Sequence, residues 1–472
     1  MGAFSSGYSA ALGDILSQVN DAFSGKSAGI DVSSVVTELM QVQEQPMTQM
    51  QTEQTTINSQ ISALTNINTE LTALQTSVQS LEDPVNGALS QMTTGSSDSS
   101  VVSASADSTA TAGTHSVTVT NLATISSSYS GYIASGSSLA GATISVAYGP
   151  DPNNPLSTDT INIPTSDTTL QEAASSINSG SYGVTANVVT DSVGSRLVLT
   201  SKTSGAAGNL TVTSSATSFT SAAGVDAQLT VDGVPVDSST NTITSAIPGV
   251  TLSLGAADPN TPVLISVEPD TSGAATALQN FISAYNTVVG SINSQYTLDS
   301  NGNEGVLAGD SMLETLQSDL LNMVSTAVTG VGQYTNLQSM GIEMQDDGTL
   351  QVNSSVLSNA LSSDYSDVQN FFQSTSPQGW GQIANTEMTQ LTDPTQGPVA
   401  LDINGLTQTN DDLSNQISDF QANMTNVQQQ LTTQYDNLDA LLIQYPLQMQ
   451  EAAAQLGSLP DSTTSTSNSS GL

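Results

Sequence analysis

Residues 57–81 read INSQISALTNINTELTALQTSVQSL, and within them Ile57, Leu64, Leu71 and Val78 fall seven apart. Ile67, Leu74 and Leu81 hold the interleaved position, which is vacant only at Gln60. Apolar residues stepping by sevens lay a narrow stripe along a helix, and a second helix must cover it. The same period returns near the C-terminus. Ile417, Met424, Leu431, Leu438 and Tyr445 form one row there, and Leu413, Phe420, Val427 and Leu441 form the other. The two stripes are covered either by each other within one chain or by copies in other subunits. Both arrangements predict that the ends of the chain gather together and serve as an assembly seam, with Thr69 and Thr432 beside it facing outward.

The 472 residues exceed what one core holds, since single cores stop growing at about 250 to 300 residues. No cysteine is present, which removes disulfides, thiol nucleophiles and thiolate metal sites. Three bases (Lys26, Arg196 and Lys202) stand against 42 acids, for a net charge of −39. Nucleic acid, which is bound through clustered Lys and Arg, is excluded as a partner. An anionic membrane surface is excluded on the same ground, and no window is apolar enough to insert into a membrane. The first 20 residues lack a basic n-region, so no conventional secretory signal is predicted. Because only 10% of residues are charged, the chain is depleted of bases rather than flooded with acids. Such a composition suits acidic surroundings: protonated carboxylates then leave little net charge of either sign.

Between the two stripes the periodicity changes. Segment 1–28 is small, polar and predicted flexible. Val32, Val35, Val36, Leu39 and Met40 have helical spacing, with Ser33 as cap, and Pro46 divides this helix from the heptad helix that ends near Glu82, Asp83 and Pro84. From about Ser99 to Glu268 apolar and polar residues alternate between Gly, Pro and Asn, as in Ser116–Thr120, Leu197–Thr200, Gln228–Val231 and Thr251–Leu254. These are antiparallel strands, interrupted by one helix at 170–178 (LQEAASSIN), with Asp232-Gly233 a hairpin turn. Helices follow at Ala274–Ile292, Met312–Val328 and Leu357–Phe372, with a hairpin at 341–352 turning on Asp347-Gly348. The last helix starts near Leu406, and Ser462–Leu472 is a Ser/Thr tail of disordered composition.

Catalytic patterns are missing. The single His115 sits at a strand entry and is predicted to face solvent; no nucleophile-elbow sequence accompanies it. Asp299, Asn301 and Asn303 are spaced like the start of a calcium loop, but Glu304 stands where the glycine belongs. No cofactor pattern occurs. Arg196 and Lys202 flank a strand and are free to pair with nearby carboxylates, a contact worth about 0–1 kcal/mol at a surface.

The phrase from Gly29 to Val36, with Leu39-Met40 and Glu44-Gln45-Pro46, resembles the N-terminal signature of the flagellar filament cap family, the hook-associated protein 2 family. Segments 170–178, 183–186 and 196–202, and then 229–233 with 247–252, are similar to a repeat shared by flagellins and hook-associated proteins. Phe281–Asn286, Gly305–Asp310, Met340–Ile342 and Asp347–Leu350 follow in the family's order. The resemblance runs from about Gly29 to Leu456. The chain departs from it in a longer N-terminal lead, in missing bases, and in Pro446, which is predicted to kink the last helix.

The resemblance implies an α+β multidomain protein: long terminal coiled-coil-type helices, a mixed helical domain, and β-rich outer domains inserted between them. The expected divisions are 1–28, 29–95, 96–270, 271–405, 406–457 and 458–472. It implies a ring-shaped homo-oligomer, a pentamer or similar, that caps the filament at the extracellular tip of the bacterial flagellum and shelters flagellin as it folds and polymerises. Implied partners are flagellin, the hook–filament junction protein, the flagellar type III export apparatus and a cytoplasmic export chaperone. No catalysis and no cofactor are implied. The rival readings are another flagellar axial component, either flagellin or a junction protein, and a surface adhesin acting through the β-rich body.

Overall fold

The computed structural model describes residues 31–134 and 137–457, together with Gly13, Leu16, Ser17, Asn20 and Asp21. Most of 1–28, the Gly29-Ile30 start of the family-like phrase, and the tail 458–472 lie outside the described residues. Two helices open the chain, α1 (Val32–Gln43) and α2 (Gln45–Glu82). Asp31 caps α1 by accepting the Ser34 N–H, so the cap falls two residues before the expected Ser33. Pro46 occupies the first turn of α2, where its missing N–H costs nothing, and the helices are parted only at Glu44. At 38 residues, α2 is about 57 Å long. Its polar positions are mainly Gln, Asn, Thr and Ser, with Glu53, Glu70 and Glu82 the only charges on the helix. Thr52, Ser62, Thr65 and Thr69 each donate their hydroxyl to the carbonyl four residues back, at 2.7–2.9 Å, which keeps these polar groups satisfied within the helix.

Fifteen strands follow. They are β1 (Met92–Ser96), β2 (Val102–Ala106), β3 (Gly113–Asn121), β4 (Ile125–Ser130), β5 (Thr143–Tyr148) and β6 (Ser157–Asn162), then helix α3 (Leu170–Ser179), then β7 (Val184–Thr190), β8 (Ser195–Ser204), β9 (Leu210–Ser214) and β10 (Phe219–Ala222). Next come β11 (Ala227–Val231), β12 (Val234–Ser238), β13 (Thr242–Ile247), β14 (Val250–Leu254) and β15 (Asp258–Pro269). The remainder is α4 (Thr271–Tyr296), α5 (Ser311–Ser325), β16 (Ile342–Met344), β17 (Leu350–Val352), α6 (Ser354–Ser363), α7 (Tyr365–Gln373), α8 (Trp380–Leu391) and α9 (Pro398–Gly457).

The chain forms two compact units. One takes residues up to Thr72, Thr287–Leu320 and everything from Thr389; the other takes Ala73–Asn286 and Leu321–Met388.

The second unit holds two β bodies, one nested in the other. Sheets β1-β15-β3-β11-β12 and β13-β14-β2, antiparallel throughout, enclose a core that includes Val117, Val119, Leu229, Leu252 and Ile265. Between β3 and β11 the chain leaves to build the inner body. Sheets β10-β4-β8-β7 and β6-β5-β9 there bury Ile144, Val146, Leu197 and Leu199 together with Leu170, Ala173, Ala174 and Ile177 of α3. A capping box starts α3: Thr169 accepts the Glu172 N–H, and the Glu172 carboxylate accepts the Thr169 N–H. Asp232 (φ 52°) and Gly233 (φ 82°) make the left-handed pair that a tight β11–β12 hairpin demands.

The helical part of this unit centres on Trp380, fully buried against Phe281, Phe371 and Phe372 with ring centroids 5.3–6.2 Å away. The Trp380 indole N–H donates to the Met323 carbonyl at 2.9 Å. Three boundaries differ from expectation. The helix expected at Leu357–Phe372 breaks at Asp364 into α6 and α7. Helix α8, with Gly381 second in it, has no expected counterpart. The last helix starts at Pro398 rather than near Leu406, because Gly405 is carried inside it.

Candidate assembly interface

In the first unit the two ends of the chain pack on each other in opposite directions. Val35 and Leu39 of α1 lie against Leu442 of α9, with Leu431 and Tyr435 alongside. Val36 and Met40 lie against Met424, flanked by Phe420 and Val427. Farther along, Ile57 of α2 meets Leu413 and Ile417, with Met47, Met50, Ile61 and Leu406 closing the cluster. Position rises on one partner as it falls on the other, which makes the pairing antiparallel. Where the row is vacant, the Gln60 side-chain amide donates to the Val306 carbonyl at 3.0 Å, so a polar group in the stripe finds its acceptor.

The seam residues fall into three groups. Ile57, Leu64, Ile67, Leu71, Leu74, Val78 and Leu81 are all buried within this chain. Leu413, Ile417 and Met424 are buried, while Phe420, Val427 and Leu431 are half-buried. Leu438 and Leu441 do not continue the covered row: they are 37% and 57% exposed, and Leu442 is buried in their place. The cause is rotational drift. A straight helix turns about 100° per residue, so a position eighteen residues on returns to the same face, whereas each heptad falls about 20° short. Leu442 lies eighteen residues after Met424 and stays under α1; Leu441 is turned about 100° away. That eighteen-residue return was the signal in the sequence, masked by the attractive run of sevens. Thr69 is exposed as expected, but Thr432 is half-buried rather than outward.

Beyond Leu442 the described part of α9 continues with Ile443, Tyr445, Leu447, Met449 and Leu456 all exposed. With Leu438 and Leu441 they make the last third of α9 an apolar surface carrying only Asp439 and Glu451 as charges. The helix is continuous through Pro446. No described helix is long and apolar enough to cross a membrane.

The remaining polar candidates are structural. His115 is half-buried rather than solvent-facing, its Nδ1 2.8 Å from Asp232 Oδ2, while Asp232 Oδ1 accepts the Ser116 N–H. These two contacts hold the Asp232 carboxyl below its ordinary range. The Asp299 carboxylate accepts the backbone N–H groups of Asn301 and Asn303 at 2.7 and 2.9 Å, a self-satisfied turn. Among the described residues no group of three or more His, Asp or Glu side chains is placed to hold a metal. Arg196 stacks over the Tyr132 ring, 3.6 Å from its centre, and donates to the Ser130 carbonyl. Lys202 donates to the Tyr182 carbonyl at 2.9 Å.

Comparison with known proteins agrees with this layout. Residues 28–126 match the flagellar hook-associated protein 2 N-terminus and residues 224–446 its C-terminus, while residues 153–203 match the flagellin hook IN motif. The B-type flagellar hook-associated protein 2 of Pseudomonas aeruginosa is 27% identical over 480 residues, spanning 92% of this chain and 98% of that protein. The flagellar hook-associated protein 2 of Escherichia coli K12 is 27% identical over 375 residues, spanning 73% and 78%. The crystal structure of the D1-D2-D3 domains of the flagellar cap protein FliD from Escherichia coli superposes with a TM-score of 0.60 at 26% identity, covering 73% of this chain and 99% of that one. Helical ends that pair on each other, nested β bodies between them in the chain, and matches at both termini and along most of the length place the chain in the flagellar hook-associated protein 2 family.

Proposed function

We propose that the chain is the cap at the distal end of the flagellar filament, a homo-oligomer whose partners are its own copies and flagellin. It stands outside the cell at the flagellar tip. Its work is steric: it encloses a space in which arriving flagellin folds and joins the filament, and it makes and breaks no bonds. The single observation that carries this reading is the last third of α9, where an apolar surface emerges beyond the covered α1–α9 pairing. Exposed apolar area of this kind marks a contact surface, and Leu438, Leu441 and Tyr445 are assigned to contacts with neighbouring copies. The buried residues that meet across the seam, Ile57 against Leu413 and Ile417 and Val36 and Met40 against Met424, hold the terminal helices of one subunit together. A closed ring of about five copies, a junction with the hook–filament protein, and delivery by the export apparatus with a chaperone complete the proposal.

A strain lacking the gene should build hooks and release unpolymerised flagellin into the medium, with few filaments. Filaments of normal length and number in that strain would overturn the reading.

A further inference from the structure

Within the first unit, α2 and α4 line a cavity of about 390 Å³, with Asn66, Thr69 and Glu70 on one side and Ser291, Ser294 and Gln295 on the other. Glu70 is the only charged residue in the lining. The Ser291 hydroxyl donates to Glu70 Oε1 at 2.9 Å, while Glu70 Oε2 is buried and accepts no hydrogen bond from the described residues. A buried carboxylate oxygen calls for a donor. The hydroxyls around it have their protons committed elsewhere. Thr69 donates to the Thr65 carbonyl at 2.9 Å and Ser294 to the Ser291 carbonyl at 2.7 Å, and the Ser291 proton is already on Oε1. The hydroxyl oxygens therefore turn lone pairs outward, and the Asn66 and Gln295 amides are the only side chains in the lining with N–H groups to give.

The complement of such a wall is a cation with several donors and no acceptor, and a lysine ammonium carries three N–H groups and no lone pair. A calcium site would gather several carboxylates, and this lining has one. The chain's own bases stand elsewhere. Arg196 and Lys202 belong to the other unit and donate to the Ser130 and Tyr182 carbonyls, and Lys26 is separated from Glu70 in the chain by α1 and most of α2. We infer that the cavity receives a lysine side chain of a partner protein, held by the Glu70 carboxylate and the hydroxyl oxygens beside it. This rests on the cap reading, in which the partner is flagellin.

The test measures binding of flagellin monomers by the full chain, wild type and Glu70→Gln, using native flagellin and flagellin whose lysines have been acetylated. Acetylation removes the ammonium charge, and any general attraction to so acidic a chain is lost equally by both proteins. Acetylation should weaken the wild type by about tenfold more than it weakens the variant, the size expected of one charge-assisted contact. Equal weakening of both would overturn the lysine site while leaving flagellin as the partner. Failure of either protein to bind native flagellin at all would overturn both readings. A calorimetric titration with calcium or potassium chloride that gives heat with the wild type and none with Glu70→Gln would assign the cavity to a metal ion and overturn the lysine. Should Glu70→Gln fail to fold, Ser294→Met, which fills the cavity from an exposed position and keeps Glu70, takes its place with the same expected outcomes.

Discussion

Trp380 is the only tryptophan, and it is the residue on which the helical part of the second unit turns. Its ring packs against three phenylalanines, and its N–H meets the Met323 carbonyl, so both its apolar body and its polar tip are used. Trp380→Ala should cost about 3–5 kcal/mol, a cavity cost plus an orphaned carbonyl, read as a lower denaturant midpoint. A midpoint unchanged in the variant would show that this cluster does not hold the unit. The sequence carried no sign of it, because the partners come from α4, α5 and α7, and residue spacing does not report contacts made between separate elements. Local chemistry was legible. Asp232-Gly233 foretold its hairpin, since few other pairs accept positive φ twice, and LQEAASSIN foretold α3, whose Glu172 completes a capping box. His115 was misjudged because its partner, Asp232, is brought to it only by the β3–β11 pairing.

At the scale of elements, periodicity located α1, α2 and α9 but misplaced the covered face of α9 toward its end. A heptad count assumes a supercoil, whereas this pairing follows the 3.6-residue helix and exchanges Leu441 for Leu442. Two neighbouring leucines thus have separable roles. Leu442→Glu places an unpaired charge among Val35 and Leu39 and should destabilise the α1–α9 pairing by several kcal/mol. Leu441→Glu, on the exposed side, should leave unfolding of the isolated chain within about 0.5 kcal/mol of wild type. Equal losses from both would mean that the face is not divided as described. Helix α8 escaped notice for a different reason: Gly379 and Gly381 bracket its start and read as loop, yet tertiary burial of Trp380 overrides their low propensity.

For the whole molecule, charge is the governing quantity. Each subunit brings −39 to any assembly at neutral pH, and like charge opposes association. Lowering the pH from 7 to 4 should increase self-association, and salt at pH 7 should imitate it by screening. Neutralisation at pH 4 is partial, because Asp31, Asp83, Asp98, Asp107, Asp258 and Asp347 accept hydrogen bonds in caps and turns that hold their carboxyls below the ordinary value. What these aspartates contribute is present above their unfolded pKa and is lost only as pH falls through still lower folded values. The turns therefore survive at the pH where repulsion has already fallen. Sedimentation showing one oligomer distribution at pH 4 and pH 7 in low salt would contradict this. The central claim, that the emergent surface of α9 assembles the cap, is tested most directly by supplying Leu438→Glu/Leu441→Glu to a strain lacking the gene, above pH 6 so that the glutamates are charged. The doubly charged chain should be secreted with wild-type unfolding yet leave flagellin unpolymerised in the medium and few filaments on the cell. Wild-type filaments restored by that doubly charged chain would contradict it.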